Sequence, residues 1–381
     1  MSVQIVKQPN NYCFAGNPVS FVFSSSTNDE FRVVVNVAGE SLELSLYPYG
    51  ASAPYQADLE LSDLLQKYFN VPTISDSDII TPIDNFSLSY SISVSGITLF
   101  SGIAFQGGIS KPLLKMLYNS DYKDIFNYRL NNKNNQFLFT TRSQSKNIKI
   151  RYSEISSFIF IHPGTTIKFV SGNGIVINTP AIVKGTLCAM NLKKVLAIYE
   201  FSYEDVKYID VFTDNEEYSF RINIIPSILS EERYLLKFKN SLGAYEFIDI
   251  TGKAYCVPES NEEYSWKSLS AYGFFEDKRD RVESRSVLEI ETGFKTKDEL
   301  DFILDMVHSD DIYIIYPDAS EIKVLVSVDN IRYRNRQTVT NSIPLKIKEV
   351  VENKFLSPNI DFNELSDTGI FDTFFESNTF E

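Results

Sequence analysis

Short runs in which apolar and polar residues alternate, or in which β-branched and aromatic residues follow one another, recur along the chain. They are broken by Gly, Asn, Asp and Ser, as expected of strands joined by tight turns. Phe31–Val37 and residues 42–46 bracket Ala38-Gly39-Glu40, a strand-turn-strand pattern. Residues 86–94 alternate throughout, and Gly96 permits a reversal into 97–105. This predicts an N-terminal antiparallel, immunoglobulin-like β-sandwich over residues 1–109. One helix is expected inside it, over 58–69, because Leu61, Leu64, Leu65 and Phe69 fall on one helical stripe.

The pattern then changes period. Ser110 is placed to cap, Pro112 suits a first turn, and Leu113, Leu114 and Leu117 make an apolar face, so 110–135 reads as a helical bridge closed by an Asn-rich stretch. Strand-like runs return at 147–151, 157–161, 166–170, 174–178, 195–201, 208–212 and 218–225. They predict a second sandwich over 136–226. In the segment 227–356, the runs 233–238 and 245–250 flank a loop in which Gly243 relieves a strained backbone position. Thr296 and Glu299 are spaced as a capping box ahead of Leu300, Ile303, Leu304 and Val307. Strands are expected after that helix at 312–316, 322–328, 331–334 and 343–351, giving a C-terminal α+β module. The charged stretch 276–285 reads as a solvated loop or exposed strand. The fold class is therefore mainly β: tandem sandwiches, a few short helices and an α+β module.

Composition narrows what such a molecule does. The 381 residues include 29 Phe and 22 Tyr but only two His, three Cys and one Trp. Aromatic side chains fill cores and contact faces, whereas His is the usual proton mover and metal ligand near neutrality. A net charge of -14 opposes a sequence-independent grip on nucleic acid. The stretch 1–10 lacks the basic and apolar regions of a secretory leader, and no apolar run is long enough to span a membrane. Synthesis in a reducing cytoplasm is expected, with Cys13, Cys188 and Cys256 packing as small apolar groups in or near cores.

The candidate chemistry is sparse. No phosphate loop, nucleophile elbow or zinc spacing occurs, so neither enzymatic activity nor a cofactor is expected. His162 precedes a Pro-Gly turn, and His308 ends the 296–308 helix, where the dipole explains it. Glu246 with Asp249, Glu289 with Glu291, and Asp210 with Asp214 are short-range carboxylate pairs of the kind glycosidases use, but 50 acidic residues make such pairs by chance. Asp76-Ser77-Asp78 with Asp84 lacks the Gly and distal Glu of a calcium loop. Two binding surfaces stand out instead. Tyr47, Tyr49 and Tyr55 surround Pro48, Gly50 and Pro54, and loop tyrosines suit glycan or protein contact; packing on the neighbouring helix is the competing explanation. The segment 357–381 has no Lys or Arg but carries Phe362, Phe371, Phe374, Phe375 and Phe380 among acids. It reads either as a tail without fixed structure or as a strap that docks onto a partner.

Three patches carry a resemblance. Gln8-Pro9 with Cys13-Phe14-Ala15-Gly16-Asn17-Pro18, the run from Tyr234 to Glu246, and the run from Glu291 to Leu300 resemble tail or baseplate-type proteins encoded by phages and prophages of Bacteroidales-type bacteria. That resemblance implies a structural subunit of a virion or tail-like particle. Its partners would be copies of itself and other tail or baseplate proteins, with no nucleic acid bound and no membrane insertion. It assigns no functional residue, and the acidic aromatic tail lies outside it. The alternative is an adhesin-like sandwich protein that binds a host-surface glycan or receptor.

Overall fold

The computed structural model describes residues 3–72, 74–75, 78–119, 138–142, 147–199, 206–213, 217–227, 233–262, 265–269, 272–279, 282–316, 320–328 and 340–350. The fold is mainly β, with several sheets and four short α-helices among the described residues. The described chain forms two compact units. The first comprises 1–150, 155–225 and 240–245; the second comprises 151–154, 226–239 and 246–381. Residues expected in two sandwich domains, 1–109 and 136–226, thus share one unit almost entirely.

The first sandwich packs a three-stranded sheet (Val3–Lys7, Ser20–Ser25, Tyr55–Glu60) on a five-stranded one (Tyr12–Phe14, Ile97–Phe105, Ser87–Val94, Phe31–Val37, Glu40–Leu46). Alternation does the work. Phe21, Phe23, Val33, Val35, Ile92 and Phe100 turn inward into one core, while Ser89, Ser91 and Asn36 share the opposite parity. Phe31–Val37 and Glu40–Leu46 pair directly across Ala38 and Gly39, both at positive φ (51° and 84°), the twist a two-residue hairpin needs. One strand breaks the antiparallel expectation: Tyr12–Phe14 pairs parallel to Ile103–Phe105.

The helix expected at 58–69 is instead a strand, Tyr55–Glu60, followed by a short helix, Ser62–Gln66. Ala57 and Leu59 point to the core beside Phe23 and Phe21, so pairing with an adjacent strand overrides the helical stripe, of which only Leu61 and Leu65 become fully buried. The reverse holds for the strand expected at 195–201. Residues Leu192–Ile198 form a helix whose Asn191 side chain accepts from the Lys194 N–H at 3.1 Å, with Leu192, Val195, Leu196 and Tyr199 buried. Of the predicted bridge, Lys111–Asn119 is helical, and the Ser110 hydroxyl accepts from the Leu113 N–H at 3.4 Å; residues 120–135 lie outside the described residues.

The second sandwich opposes a five-stranded sheet (Asn147–Arg151, Glu217–Ile225, Tyr208–Thr213, Lys168–Ser171, Val176–Asn178) to a three-stranded one (Ser157–Ile161, Leu187–Asn191, Ile80–Pro82). That small sheet is buried on both faces. Phe158, Phe160, Cys188 and Met190 enter one core, while Ile159, Ile161, Leu187 and Ala189 enter another with Phe14, Phe86, Phe105 and Phe139. The Phe139 ring stands edge-on to Phe86 at 4.9 Å. Because Ile80–Pro82 pairs with Leu187–Asn191, the segments before and after the helical bridge share a sheet.

Backbones converge beside this core. The Gly16 N–H donates to the Gly107 carbonyl at 2.7 Å, and the Gly108 N–H donates to the Ser241 carbonyl at 2.7 Å. Asn240 closes the loop 240–244 by accepting from the N–H groups of Leu242 and Ala244, each at 3.0 Å, and donates to the Phe139 carbonyl at 3.1 Å.

In the second unit, seven strands lie in the order Tyr245–Ile250, Tyr234–Lys239, Ile312–Ile315, Glu321–Ser327, Pro344–Glu349, Val282–Glu291, Ala254–Glu262. The helix Lys297–Val307 covers one face. Leu300, Phe302, Ile303 and Met306 pack with Leu236, Phe238, Leu288 and Ile347, matching the expected α+β module. Residues 331–334, read as a strand, lie outside the described residues. Two strands outrun the sheet. Ala254–Glu262 and Val282–Glu291 pair over nine positions, but the next strand, Pro344–Glu349, pairs only with Val287 to Glu291. Pro258 to Glu262 therefore pair with Val282 to Ser286 as a two-stranded ribbon. Further along the chain, Ser265–Leu269 and Phe275–Arg279 form a second two-stranded ladder.

Candidate functional site

The loop carrying Tyr47, Tyr49 and Tyr55 is closed by backbone hydrogen bonds between Tyr49 and Gln56 at 2.7 and 2.9 Å. Tyr47 is 71% and Tyr49 53% exposed, whereas Tyr55 is half-buried in its strand. The Tyr49 hydroxyl donates to Asp58 at 2.7 Å, and that bond raises its pKa above the ordinary tyrosine range. The structure thus presents two of the three rings and holds one through an exposed carboxylate. On the same unit a shallow groove of about 470 Å³ runs over the five-stranded sheet, lined by Asn11, Tyr12, Asn36, Ser89, Ser91 and Ser101 among others. Amide and hydroxyl groups beside a tyrosine ring suit an uncharged polar ligand.

Charge is concentrated inside the second unit. Asp249 is 0% exposed and Lys295 1%. The Asp249 carboxylate accepts from Arg233 Nε at 3.0 Å and from the Ser153 hydroxyl at 2.7 Å. Its backbone N–H donates to Glu154 at 2.9 Å, and its carbonyl accepts from Lys295 Nζ at 2.6 Å. Arg151 Nη2 donates to Glu299 at 2.7 Å. Three cations thus face three carboxylates, with nearly every charged tip bonded. Burial lowers the Lys295 pKa below the ordinary lysine range, against the pull of Glu154, Glu299 and Asp249. Only Arg233 and Glu299 keep partial access to solvent, 28% and 20%, and the charges are held by one another, as in a buried ionic network that fixes structure.

Glu299 gives the cluster a pH signature. Its carboxylate accepts from the Thr296 N–H at 2.8 Å and the Thr296 hydroxyl at 2.9 Å, half of the capping box read from the sequence. Burial pushes its pKa up, but the Thr296 bonds and the Arg151 and Lys295 charges outweigh that, leaving it below the ordinary glutamate range. A carboxylate depressed on folding contributes stability above its unfolded pKa and loses it as pH falls through the folded value. The second unit is therefore expected to lose stability as pH falls through and below the ordinary glutamate range. In Glu299→Gln that share of the acid sensitivity should vanish, read as a flatter melting temperature against pH; an unchanged slope would reject the assignment.

The other chemistry-bearing residues are also accounted for. Arg221 grips Asp210 through two bonds of 2.6 and 2.8 Å while stacking over Tyr208; Asp214 lies outside the described residues. Glu246 and Asp249 are both buried, three positions apart in one strand and so of opposite parity. Glu289 faces Lys346 at 3.3 Å, and Glu291 accepts from Ser342 at 3.3 Å. His162 is fully buried, its Nδ1 accepting from the Gly164 N–H at 3.1 Å, and burial holds its pKa down. His308 is exposed at the end of its helix, with Nδ1 2.6 Å from the Leu304 carbonyl. Cys13 and Cys188 are pushed up to about 11 and about 12 by burial, but Cys256 is exposed. This corrects the expectation that all three pack away: Cys256 sits on the outermost strand of its sheet. Asp76 and Ser77 lie outside the described residues, and no group of three or more metal-ligating side chains occurs among those described.

Among the described residues, a cluster of exposed aromatics was not singled out by sequence pattern. At the end of the 265–279 ladder, Tyr272 is 88%, Phe274 73%, Phe275 73% and Leu269 64% exposed. Phe362, Phe371, Phe374, Phe375 and Phe380, the proposed docking tail, lie outside the described residues.

No family model and no curated protein matches the chain. Among solved structures, one described as "Structural insight into host cell surface retention of a 1.5-MDa bacterial ice-binding adhesin" aligns with 73% of this chain and 96% of its own. The identity is 10% and the TM-score 0.15, a superposition too loose to carry an argument about function. No helix among the described residues is long and apolar enough to cross a membrane.

The signal for the aromatic tip was present as Tyr272-Gly273-Phe274-Phe275. It is indistinguishable from core until the pairing shows that a turn, and not a sheet interior, holds it.

Proposed function

We propose that this chain is a structural subunit of a phage tail or tail-like assembly, at the baseplate or distal end, acting through contacts with copies of itself and with other tail proteins. One observation carries the reading. The buried charged groups are occupied with one another, whereas aromatic side chains are set out on the surface at Tyr47, Tyr49, Tyr272, Phe274 and Phe275. Clustered exposed aromatics of this kind mark contact surfaces. The three sequence patches that resemble tail and baseplate proteins supply the kind of assembly.

The test is immunogold electron microscopy of tail-like particles from the cell that encodes the chain. Label at the tail end supports the subunit role; particles that never contain the chain overturn it. Deleting 357–381 is expected to leave the melting temperature unchanged and to weaken association if that segment is a strap. Unaltered association would remove the strap.

A second reading rests on two separate observations, the uncharged groove lined by Tyr12 and the exposed rings of Tyr47 and Tyr49. It is glycan or receptor recognition by an adhesin-like sandwich. Tyr47→Ala and Tyr49→Ala are expected to leave the melting temperature close to that of the wild type. Saturable binding of a neutral glycan by the monomer, lost in these variants, would favour recognition over assembly.

A further inference from the structure

We propose that the hairpin tip formed by Leu269, Tyr272, Phe274 and Phe275 is a self-association element that inserts into a second copy of this chain. The inference rests on the assembly reading above and names the surface that performs it. Its starting point is a contrast in the sequence of the paired strands. Glu259 lies opposite Arg285, and Lys267 opposite Asp277, opposite charges of the kind that stabilise a ladder. The tip has no such pairs. From Leu269 to Phe275 the sequence has no charged residue, and four large apolar side chains there are between 64% and 88% exposed. The positive φ of Gly273 (81°) provides the turn that sets Tyr272 and Phe274 on either side of it.

A two-stranded ladder is marginally stable alone, and among the described residues the 265–279 ladder has no third strand. A partner that buries the tip supplies what the ladder lacks.

Area selects the partner. At roughly 200 Å² for each large aromatic side chain, the tip offers about 500 Å². One tip in one foreign cleft buries about 1,000 Å² counted over both partners, the lower edge of a specific interface. Two copies exchanging tips about a two-fold axis bury about 2,000 Å², well within the range of stable interfaces. Such an exchange is the self-complementary contact that homo-oligomers use.

The decisive experiment compares the full-length chain with Tyr272→Ser/Phe274→Ser/Phe275→Ser by sedimentation across a concentration series. The wild type is expected to self-associate, and the triple variant to weaken that association by roughly a hundredfold or more with an unchanged melting temperature. A photo-crosslinker at Tyr272 is expected to capture a second copy, which tests the contact without removing it. A wild type that stays monomeric throughout, or a variant that associates equally well, overturns the tip proposal. Neither result removes the subunit reading, which stands or falls on the particle labelling. Co-flotation with neutral phosphatidylcholine vesicles by a monomeric wild type, lost in the variant, would instead assign the tip to a lipid surface and also overturn it.

Discussion

Asp249→Ala is expected to lower the stability of the second unit by about 3 kcal/mol, toward the low end of what breaking a buried ion pair costs. The Asp249 side chain is 0% exposed, while its partner Arg233 retains 28%. Removing the carboxylate therefore strands a guanidinium that can turn only partly to water, together with the Ser153 hydroxyl. Lys295 keeps its acceptor in the variant, because it bonds to the backbone carbonyl of Asp249. The loss should thus fall on the carboxylate contacts, and a double-mutant cycle with Arg233→Met would read their coupling. Arg32→Met is the natural control. Its pair with Glu43 is as short, 2.9 Å, but the side chains are 68% and 56% exposed, so solvent screens the pair and the change should leave stability close to that of the wild type. Because the chain has two compact units, a single melting curve need not be two-state. Hydrogen exchange at the amides of Tyr234–Lys239 and Tyr245–Ile250 reads the second unit directly. Wild-type protection in Asp249→Ala would mean that the cluster is not what holds these strands.

What could be read from the sequence follows from where each element has its partners. Strands with one wet face announced themselves: Phe31–Val37 and Ser87–Val94 alternate because only one side is buried. The helix at Lys297–Val307 was readable from Thr296 and Glu299, a signal contained within four residues. Leu187–Asn191 was not, since a strand buried on both faces has no alternation to detect. Leu192–Ile198 and Tyr55–Glu60 were misjudged in opposite directions because short apolar runs fit both periods, and only a neighbouring strand or a capping Asn191 decides between them. The ionic cluster was beyond local reasoning altogether: Arg151 and Glu299 lie 148 positions apart. Of the candidate site residues, Tyr47 and Tyr49 are exposed and Tyr55 is half-buried, a difference that the alternating strand Tyr55–Glu60 sets and the loop composition does not. The aromatic tip went unnoticed because exposure is a property of the ladder that carries it and not of the four residues themselves.

Gly243→Val is expected to be strongly destabilising to the first unit, for two separable reasons. Gly243 sits at φ 90°, and a Cβ there would lie 2.7 Å from the Gln106 carbonyl oxygen. The first is backbone strain of about 1–2 kcal/mol. The second is a clash with main chain that cannot swing away, in a place where overpacking adds a further 1–3 kcal/mol. Gly39 separates them, since it has nearly the same backbone conformation, φ 84°, but nothing within 4 Å of its Cβ position. Gly39→Ala should therefore cost only the strain, and Gly243→Ala the strain and the collision together. Gly107 offers the reciprocal check, because its Cβ would lie 2.3 Å from the Leu242 carbonyl carbon, the same crossing approached from the other chain segment. If the crossing is what matters, Gly107→Ala and Gly243→Ala should destabilise alike, and combining them should cost less than the sum, since one displacement of the loop 240–244 relieves both. Equal losses at Gly39 and Gly243 would show instead that only the turn conformation is at stake, and that the close approach of Phe14–Asn17, Phe105–Gly108 and the 240–244 loop can relax at no cost.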